Sequence, residues 1–272
     1  MDGVAGDGAG DPDGDGRTTP GDPNGSPVSF LMAIDVAIIG AGAAGLMAAI
    51  HAADRTGARV TLLERTADGG RKILISGGGR CNVLPSELDE RRFVTDSSRA
   101  TMARLLRGWP LAGQREFFER TLGIPLALEP ETGKLFPVSN RARDVRDGLV
   151  RAARDAGAEL RFGVTVSDLR PDPDGGWTIA TRDGSIAAAR VVLATGGLSV
   201  PATGSDGTGF SLAAALGHEI NPTYPALTPL TADPPVHQGL AGVSLEVVTK
   251  GKWAGRETVS RGGFLFTHRG YS

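Results

Sequence analysis

The pattern of apolar and polar residues divides the chain into three parts. Residues 1–30 hold eight Gly, six Asp and four Pro, with almost no large apolar side chain before Val28. Such a segment cannot bury enough surface to offset its ordering entropy, so residues 1–32 are predicted to be a disordered tail. Buried strands then alternate with helices to about residue 200, and strand patterns dominate from about residue 219. This order predicts an α/β fold with a parallel sheet, followed by a β-rich region.

The first elements after the tail form one predicted βαβ unit. Ile34–Ile39 is a short apolar strand, Ala43–Thr56 an alanine-rich helix and Arg59–Glu64 a second β-branched strand. A right-handed crossover makes the two strands parallel neighbours. Further helices are predicted around residues 99–107, 111–122 and 142–156, and another buried strand at Arg190–Ala194.

The run from Phe30 to Ile50 is apolar enough to resemble a membrane span or a signal peptide. No basic segment precedes it, Asp35 lies within it, and three glycines interrupt it. A strand, a glycine turn and a helix account for the run better, and no membrane partner is expected.

A glycine pattern lies where that strand meets its helix. The segment reads Gly40-Ala41-Gly42-Ala43-Ala44-Gly45, and the acidic Glu64 follows at the end of the second strand. This is the context of a dinucleotide-binding turn: one glycine makes the tight turn, one admits the pyrophosphate and one allows close packing, while the acid binds ribose hydroxyls. The alternative is a glycine-rich turn with an ordinary surface glutamate.

A second glycine-rich loop follows, and a plain NAD-binding domain does not require it. Its three consecutive glycines would expose backbone N–H groups to a second phosphate or a flat ring, and its cations would add positive charge. The alternative is an ordinary surface loop. Cys81 has no partner cysteine and is expected to be a structural thiol. The predicted cofactor contacts of this loop are Arg71, Lys72, Ser76, Gly77, Gly78, Gly79, Arg80, Cys81 and Asn82.

Composition excludes several classes of function. Lys and Arg total 29 against 31 Asp and Glu, a formal net charge of −2, so no excess of basic residues favours nucleic acid. Without the tail, which has six Asp and one Arg, 28 basic residues face 25 acidic ones. The single Cys excludes a disulfide framework and a Cys-rich zinc site, and it favours a reducing, cytoplasmic location. His51, His218 and His237 share no metal-ligand spacing with a Cys or an acidic pair, so no zinc site is expected.

The combined motifs resemble the YhiN/BaiN-type flavoprotein family, which includes aminoacetone oxidase-like enzymes. They are GAGAAGL, GRKILISGGGRCN, KLFPVSNRARDV, LATGG, TGSDGTGF, PALTPL and GGFLFTHRG. The resemblance implies FAD, a Rossmann-like FAD-binding domain over 33–205 and the start of an inserted β-rich substrate domain over 206–272. It also implies a backbone contact from Val166 to adenine. The implied cofactor set further includes Arg65 and the second glycine motif, Ala194-Thr195-Gly196-Gly197.

Two departures from the family pattern affect the expectations. The loop continues with Val83-Leu84-Pro85 where the family usually has Thr-Asn, and the chain ends at Ser272, where the family motif continues. A C-terminally truncated member with a more exposed flavin is therefore expected. His268, in a family motif, is a candidate general acid.

The expected activity is that of an FAD-dependent oxidoreductase acting on a small molecule, with NAD(P)H or oxygen as the other redox partner. Two alternatives remain open: a non-catalytic nucleotide-binding remnant and a dehydrogenase that uses NAD alone.

Overall fold

A computed structural model describes residues 34–93, 95, 97–225 and 228–272. The predicted tail over 1–32 lies outside these residues. The strands are β1 (Ile34–Ile39), β2 (Val60–Glu64), β3 (Leu84–Pro85), β4 (Leu126–Glu129), β5 (Lys134–Pro137), β6 (Glu159–Phe162), β7 (Val166–Pro171), β8 (Trp177–Thr181), β9 (Gly184–Leu193), β10 (Leu230–Thr231), β11 (Ser244–Trp253), β12 (Arg256–Thr267) and β13 (Gly270–Tyr271). The helices are α1 (Ala43–Thr56), α2 (Arg71–Ile75), α3 (Arg99–Gly108), α4 (Leu111–Glu116), α5 (Ala142–Asp155) and α6 (Thr208–Ala215).

The largest sheet has six strands in the order β6-β2-β1-β9-β8-β7. Its first four strands are parallel, and hairpins add β8 and β7 in antiparallel pairing. Ile38 of β1 lies opposite Leu62 of β2 on one side and Val192 of β9 on the other. The predicted α/β fold with a Rossmann-like parallel sheet is therefore confirmed.

Alternate residues of the central strands enter two different cores, as the pleat requires. Ile38 and Leu62 are fully buried against the helical layer, where they join Leu46 of α1 and Leu149 of α5. On the opposite face, Leu63 packs in a second cluster, which also contains residues of β7 and α6. Burial on both faces explains why β1 and β2 are mostly apolar rather than alternating.

The sequence patterns do not predict two features that lie between β2 and β6. Part of the second glycine loop is helical, since α2 occupies Arg71–Ile75. A small antiparallel sheet, β3-β5-β4, also joins the helical core through Leu84, Leu126 and Leu135. Val83 donates its backbone N–H to the Leu135 carbonyl at 2.9 Å. The unusual Val83-Leu84-Pro85 segment therefore contains the short strand β3, whose Leu84 is buried in the core.

The strand-rich region forms a separate sheet in the order β10-β13-β12-β11. Phe264, Phe266 and Tyr271 cluster there with His237, whose Nδ1 lies 2.6 Å from the Tyr271 hydroxyl. Trp253 is 83% exposed at the end of β11.

Helix α6 belongs to the large sheet, because Leu212 packs in the cluster with β1 and β7. The division expected between residues 205 and 206 stays a prediction. Among the described residues, no helix is both long enough and apolar enough to cross a membrane.

Candidate functional site: a crevice at the carboxyl ends of the parallel strands

The main cleft lies where β1, β2 and β9 end, the usual ligand position in open α/β sheets. It has a volume of about 410 Å³. The two glycine motifs predicted from sequence meet here, because Ala194 donates its backbone N–H to the Ile39 carbonyl at 2.8 Å. The predicted residues that line it are Gly40, Gly42, Ala43, Ala44, Glu64, Arg71, Lys72, Ser76, Cys81, Asn82, Ala194, Thr195 and Gly196.

The three glycines of the first motif differ in the contacts that a side chain would make at each position. Gly40 has φ +105°, and a Cβ there would lie 2.5 Å from the Ala194 carbonyl oxygen. A Cβ on Gly45 would lie 1.8 Å from the Gly40 carbonyl oxygen, so this glycine allows α1 to pack on the turn. A Cβ on Gly42 would meet no atom of the described residues within 4 Å. Packing therefore requires Gly40 and Gly45, whereas Gly42 borders open space.

That open space lies at the N-terminus of the 14-residue helix α1. The first N–H groups of a helix have no partner within it, and the helix dipole makes this end positive. Ala43 and Ala44 are exposed there and line the cleft. This arrangement can bind a phosphate group.

Glu64 is buried beside this turn, with 9% of its surface exposed. Its Oε2 accepts a hydrogen bond from the Ala41 N–H at 2.7 Å, and its Oε1 accepts from both the N–H and the hydroxyl of Thr66 at 2.7 Å. The carboxylate thus joins the end of β2 to the glycine turn. A predicted contact with ribose would use its remaining acceptor sites.

The cations of the second loop do not all face the cleft. Arg71 and Lys72 line it, and Arg71 Nε also contacts Asp68 at 3.0 Å. Lys72 Nζ donates to the Ser199 carbonyl. Arg80 is directed elsewhere: its Nη1 donates to Glu129 Oε1 at 2.8 Å, and its guanidinium lies 4.1 Å from the centre of the Phe136 ring.

Arg80 therefore supports the loop through these contacts and does not line the cleft. Its hydrogen bond also lowers the pKa of the Glu129 carboxyl.

The three consecutive glycines shape the loop without lining the cleft. Gly77, Gly78 and Gly79 all have positive φ, as does Cys81 with φ +64°. A Cβ on Gly77 would lie 2.8 Å from the Asn82 nitrogen, which explains one of these glycines by close packing. The Cys81 side chain is buried, and burial raises the pKa of its thiol. These features agree with a structural role for Cys81.

A smaller pocket of about 50 Å³ continues the cleft past Glu64. The two share Gly40, Glu64, Thr195 and Gly204, so they are the two ends of one crevice. The smaller end contains the predicted Val166 and Arg65.

Two other predicted residues lie apart from the crevice lining. Gly197 lies beside Phe210, where a Cβ would be 3.5 Å from the ring. His268 is exposed in the turn between β12 and β13 and lines neither end of the crevice.

Sequence analysis missed a buried arginine beneath the cleft. Arg146 of α5 is 8% exposed, and its Nη1 donates to the Asp68 carbonyl at 3.0 Å. Its side chain packs against Gly70, at the start of α2. The only available signal was an arginine on the apolar side of a predicted amphipathic helix.

The sequence matches the HI0933-like protein Rossmann domain over residues 34–264. The chain belongs to this family. The predicted resemblance to YhiN/BaiN-type flavoproteins is confirmed, and so is FAD, the cofactor of this Rossmann-type family.

Two relatives of the family show how much of a longer protein is present. The chain is 33% identical over 242 residues to the ribosomal RNA dihydrouridine synthase of Escherichia coli, covering 88% of this chain and 58% of the relative. It is 34% identical over 196 residues to a 3-dehydro-bile acid delta(4,6)-reductase of Clostridium scindens, covering 72% and 47%. The chain thus spans about half the length of these curated relatives.

Among solved structures, THI4 of Thermovibrio ammonificans overlaps with 69% of this chain and 64% of its own. The sequence identity is 22% and the TM-score 0.45, a level of likeness that says nothing about activity.

The residues of the crevice fit the family's cofactor. Open space beyond Gly42 meets a helix N-terminus, and Arg71 and Lys72 lie at the same end. The other end holds an acid and a narrow, partly apolar pocket. Among the described residues, no group of three or more His, Cys, Asp or Glu could hold a metal ion.

Proposed function

We propose that this chain forms the FAD-binding part of an oxidoreductase that acts on a small organic molecule, with NAD(P)H or oxygen as the other redox partner. The open space at Gly42, which faces the N-terminus of α1, carries this proposal. Neither packing nor backbone strain requires a glycine there, and a phosphate would require one.

In this proposal each end of the crevice has its own task. The N–H groups of α1 bind the pyrophosphate, and Arg71 and Lys72 offset its charge. Glu64 holds the glycine turn in shape through Ala41 and can accept hydrogen bonds from ribose. The bound flavin supplies two-electron transfer, while the protein supplies position and electrostatics.

The names of the relatives favour the reductive direction for the whole protein. One is a reductase, and dihydrouridine is uridine with two added hydrogen atoms. We infer a small unsaturated substrate and no nucleic-acid or membrane partner, which the nearly balanced charge supports. We also infer a cytoplasmic location, supported by a single and buried cysteine and tested by cell fractionation.

A second candidate function, reduction of uridine in ribosomal RNA, is favoured by the identity to the Escherichia coli relative. The two candidates are separated by following NAD(P)H oxidation with a conjugated enone and with unmodified ribosomal RNA. Turnover with RNA alone would replace the small-molecule proposal.

Purification of the chain tests the cofactor directly. The protein is expected to be yellow and to release FAD, identified by chromatography, when it is denatured. A colourless protein that binds NADH would favour the NAD-only alternative. A yellow protein whose flavin accepts electrons from neither NAD(P)H nor dithionite, and which consumes no oxygen, would favour the non-catalytic remnant.

A further inference from the structure

The smaller end of the crevice contains an arginine that already has a partner. Arg65 directly follows Glu64, and its Nη1 lies 2.7 Å from Oδ2 of Asp206. Both residues line the smaller pocket together with Val166. The ion pair joins the end of β2 to the loop before α6, 141 residues later in the chain.

Asp206 is fixed in this position by a second set of contacts. Its Oδ1 accepts hydrogen bonds from the Thr208 N–H at 3.1 Å and from the Thr208 hydroxyl at 2.7 Å. Thr208 is the first residue of α6, so one carboxylate both accepts hydrogen bonds from the start of the helix and holds Arg65. The hydrogen bonds from Arg65 and from Thr208 keep the pKa of Asp206 far below its ordinary value, and the group stays charged at neutral pH.

The charges of the two ends consequently differ in sign. Arg71 and Lys72 line the larger end. At the smaller end Arg65 is offset by Asp206, and Glu64 leaves an excess of one negative charge. In dinucleotide-binding folds an acid at this position binds a ribose 2′-hydroxyl, whereas a nearby arginine accommodates a 2′-phosphate.

We propose that Asp206 is a specificity-determining residue, which excludes 2′-phosphorylated adenine nucleotides from the crevice by holding Arg65. Among the described residues that line this pocket, Arg65 is the one cation that could bind a 2′-phosphate. The ion pair occupies this cation and adds a second carboxylate to the pocket. Selectivity then has two sources: the carboxylates repel a 2′-phosphate, and Glu64 binds the hydroxyl of an unphosphorylated ribose. This inference rests on the proposed binding of a dinucleotide in the crevice.

The substitution Asp206→Asn separates charge from structure. Asparagine keeps a side-chain oxygen that can accept from Thr208, so the hydrogen bonds at the start of α6 are retained. It cannot form the ion pair, so Arg65 becomes available to a phosphate. In the double variant Arg65→Gln/Asp206→Asn the freed cation is absent.

The experiment uses the full chain and its binding of FAD, followed by quenching of FAD fluorescence. Adenosine 5′-monophosphate and adenosine 2′,5′-bisphosphate compete for the site, and the ratio of their inhibition constants measures selectivity. For Asp206→Asn we expect this ratio to shift about tenfold or more toward the bisphosphate, the effect of one charge-assisted hydrogen bond. The double variant should return to the selectivity of the parent or exceed it.

A matched control tests a similar carboxylate outside the crevice. Asp89 also accepts from a backbone N–H and pairs with an arginine, Arg91. Asp89→Asn should leave the ratio unchanged.

Each outcome decides the inference. An unchanged ratio in Asp206→Asn, with monophosphate affinity retained, overturns it, and so does an equal shift in the double variant. If Asp206→Asn no longer binds the monophosphate, the selectivity of Arg65→Gln is measured instead. Discrimination against the bisphosphate equal to or stronger than that of the parent supports the inference. A shift toward the bisphosphate contradicts it. A parent chain that binds no FAD refutes the proposed function instead.

Discussion

The substitution Gly42→Val tests whether the open space in the crevice belongs to a ligand. Gly42 has φ −75° and ψ −176°, extended backbone that valine adopts readily. Its added side chain would meet no protein atom near the Cβ position, so the fold should tolerate it. It would instead occupy the space in which we propose that the pyrophosphate lies.

The expected loss follows from the hydrogen bonds at this helix end. A hydrogen bond to a charged group contributes about 1.5–3 kcal/mol. If a displaced pyrophosphate loses two of them, binding weakens by about 3–6 kcal/mol, on the order of 10²–10⁴ in dissociation constant. The free energy of unfolding should change by only about 1 kcal/mol, the usual effect of altering a helix N-cap residue.

The assay is FAD retention after gel filtration, together with thermal unfolding of each variant. Gly108→Val is the matched control, because Gly108 also borders open space but lies at the end of α3. Gly45→Ala gives the opposite pattern: its Cβ overlaps the Gly40 carbonyl, and we expect a loss of stability of at least about 2 kcal/mol. A Gly42→Val protein that stays yellow at full occupancy would refute the reasoning.

Three further predictions concern charged residues that do not line the crevice. Arg80→Ala should leave FAD affinity within about twofold of the parent, because the ion pair of Arg80 with Glu129 lies outside the crevice and such exposed pairs contribute about 1 kcal/mol or less to stability. Titration with FAD measures this affinity, and a tenfold loss would contradict the prediction. Hydrogen bonds from Arg59 lower the pKa of Asp35 to about 2, so its contribution to stability is complete above the unfolded-state pKa of about 4 and is lost as the pH falls toward 2. Denaturant unfolding from pH 5 to 2 should therefore show a shallower decline for Asp35→Asn than for the parent, and parallel curves would count against this ion pair. Arg146→Met keeps the apolar contact but leaves the Asp68 carbonyl without this donor, so we expect a cost of about 1–3 kcal/mol and weaker FAD binding; unchanged unfolding would show that the hydrogen bond contributes nothing.

The βαβ unit could be predicted closely because its signals are local. The sequence patterns place β1 and α1 at the bounds the structure shows, and β2 begins one residue later than predicted. Two-sided burial makes the strands apolar, and Gly40 and Gly45 are required by contacts that any such turn makes. The position of the crevice follows from this topology.

The direction of the charged side chains could not be predicted, because it depends on partners far away in sequence. Arg80 contacts Glu129, 49 residues later, and Lys72 contacts the Ser199 carbonyl, 127 residues later. A glycine-rich loop with three cations looks like a phosphate site whichever way those cations point. The two-residue strand β3 was equally hidden, since it is too short to show an alternating pattern.

The pairing of β1 with β9 determines when the crevice can form during synthesis. Ile39 and Leu193 are neighbours in the sheet although 154 positions separate them in the sequence. Until β9 has left the ribosome, β1 lacks one of its two hydrogen-bonding neighbours, and the glycine turn lacks the Ala194 carbonyl against which it packs. Long-range parallel pairing of this kind folds slowly and exposes unpaired strand edges in the meantime. The nascent chain must therefore carry an apolar, open-edged βαβ unit until β9 has been synthesised, and the crevice can bind the cofactor only after that.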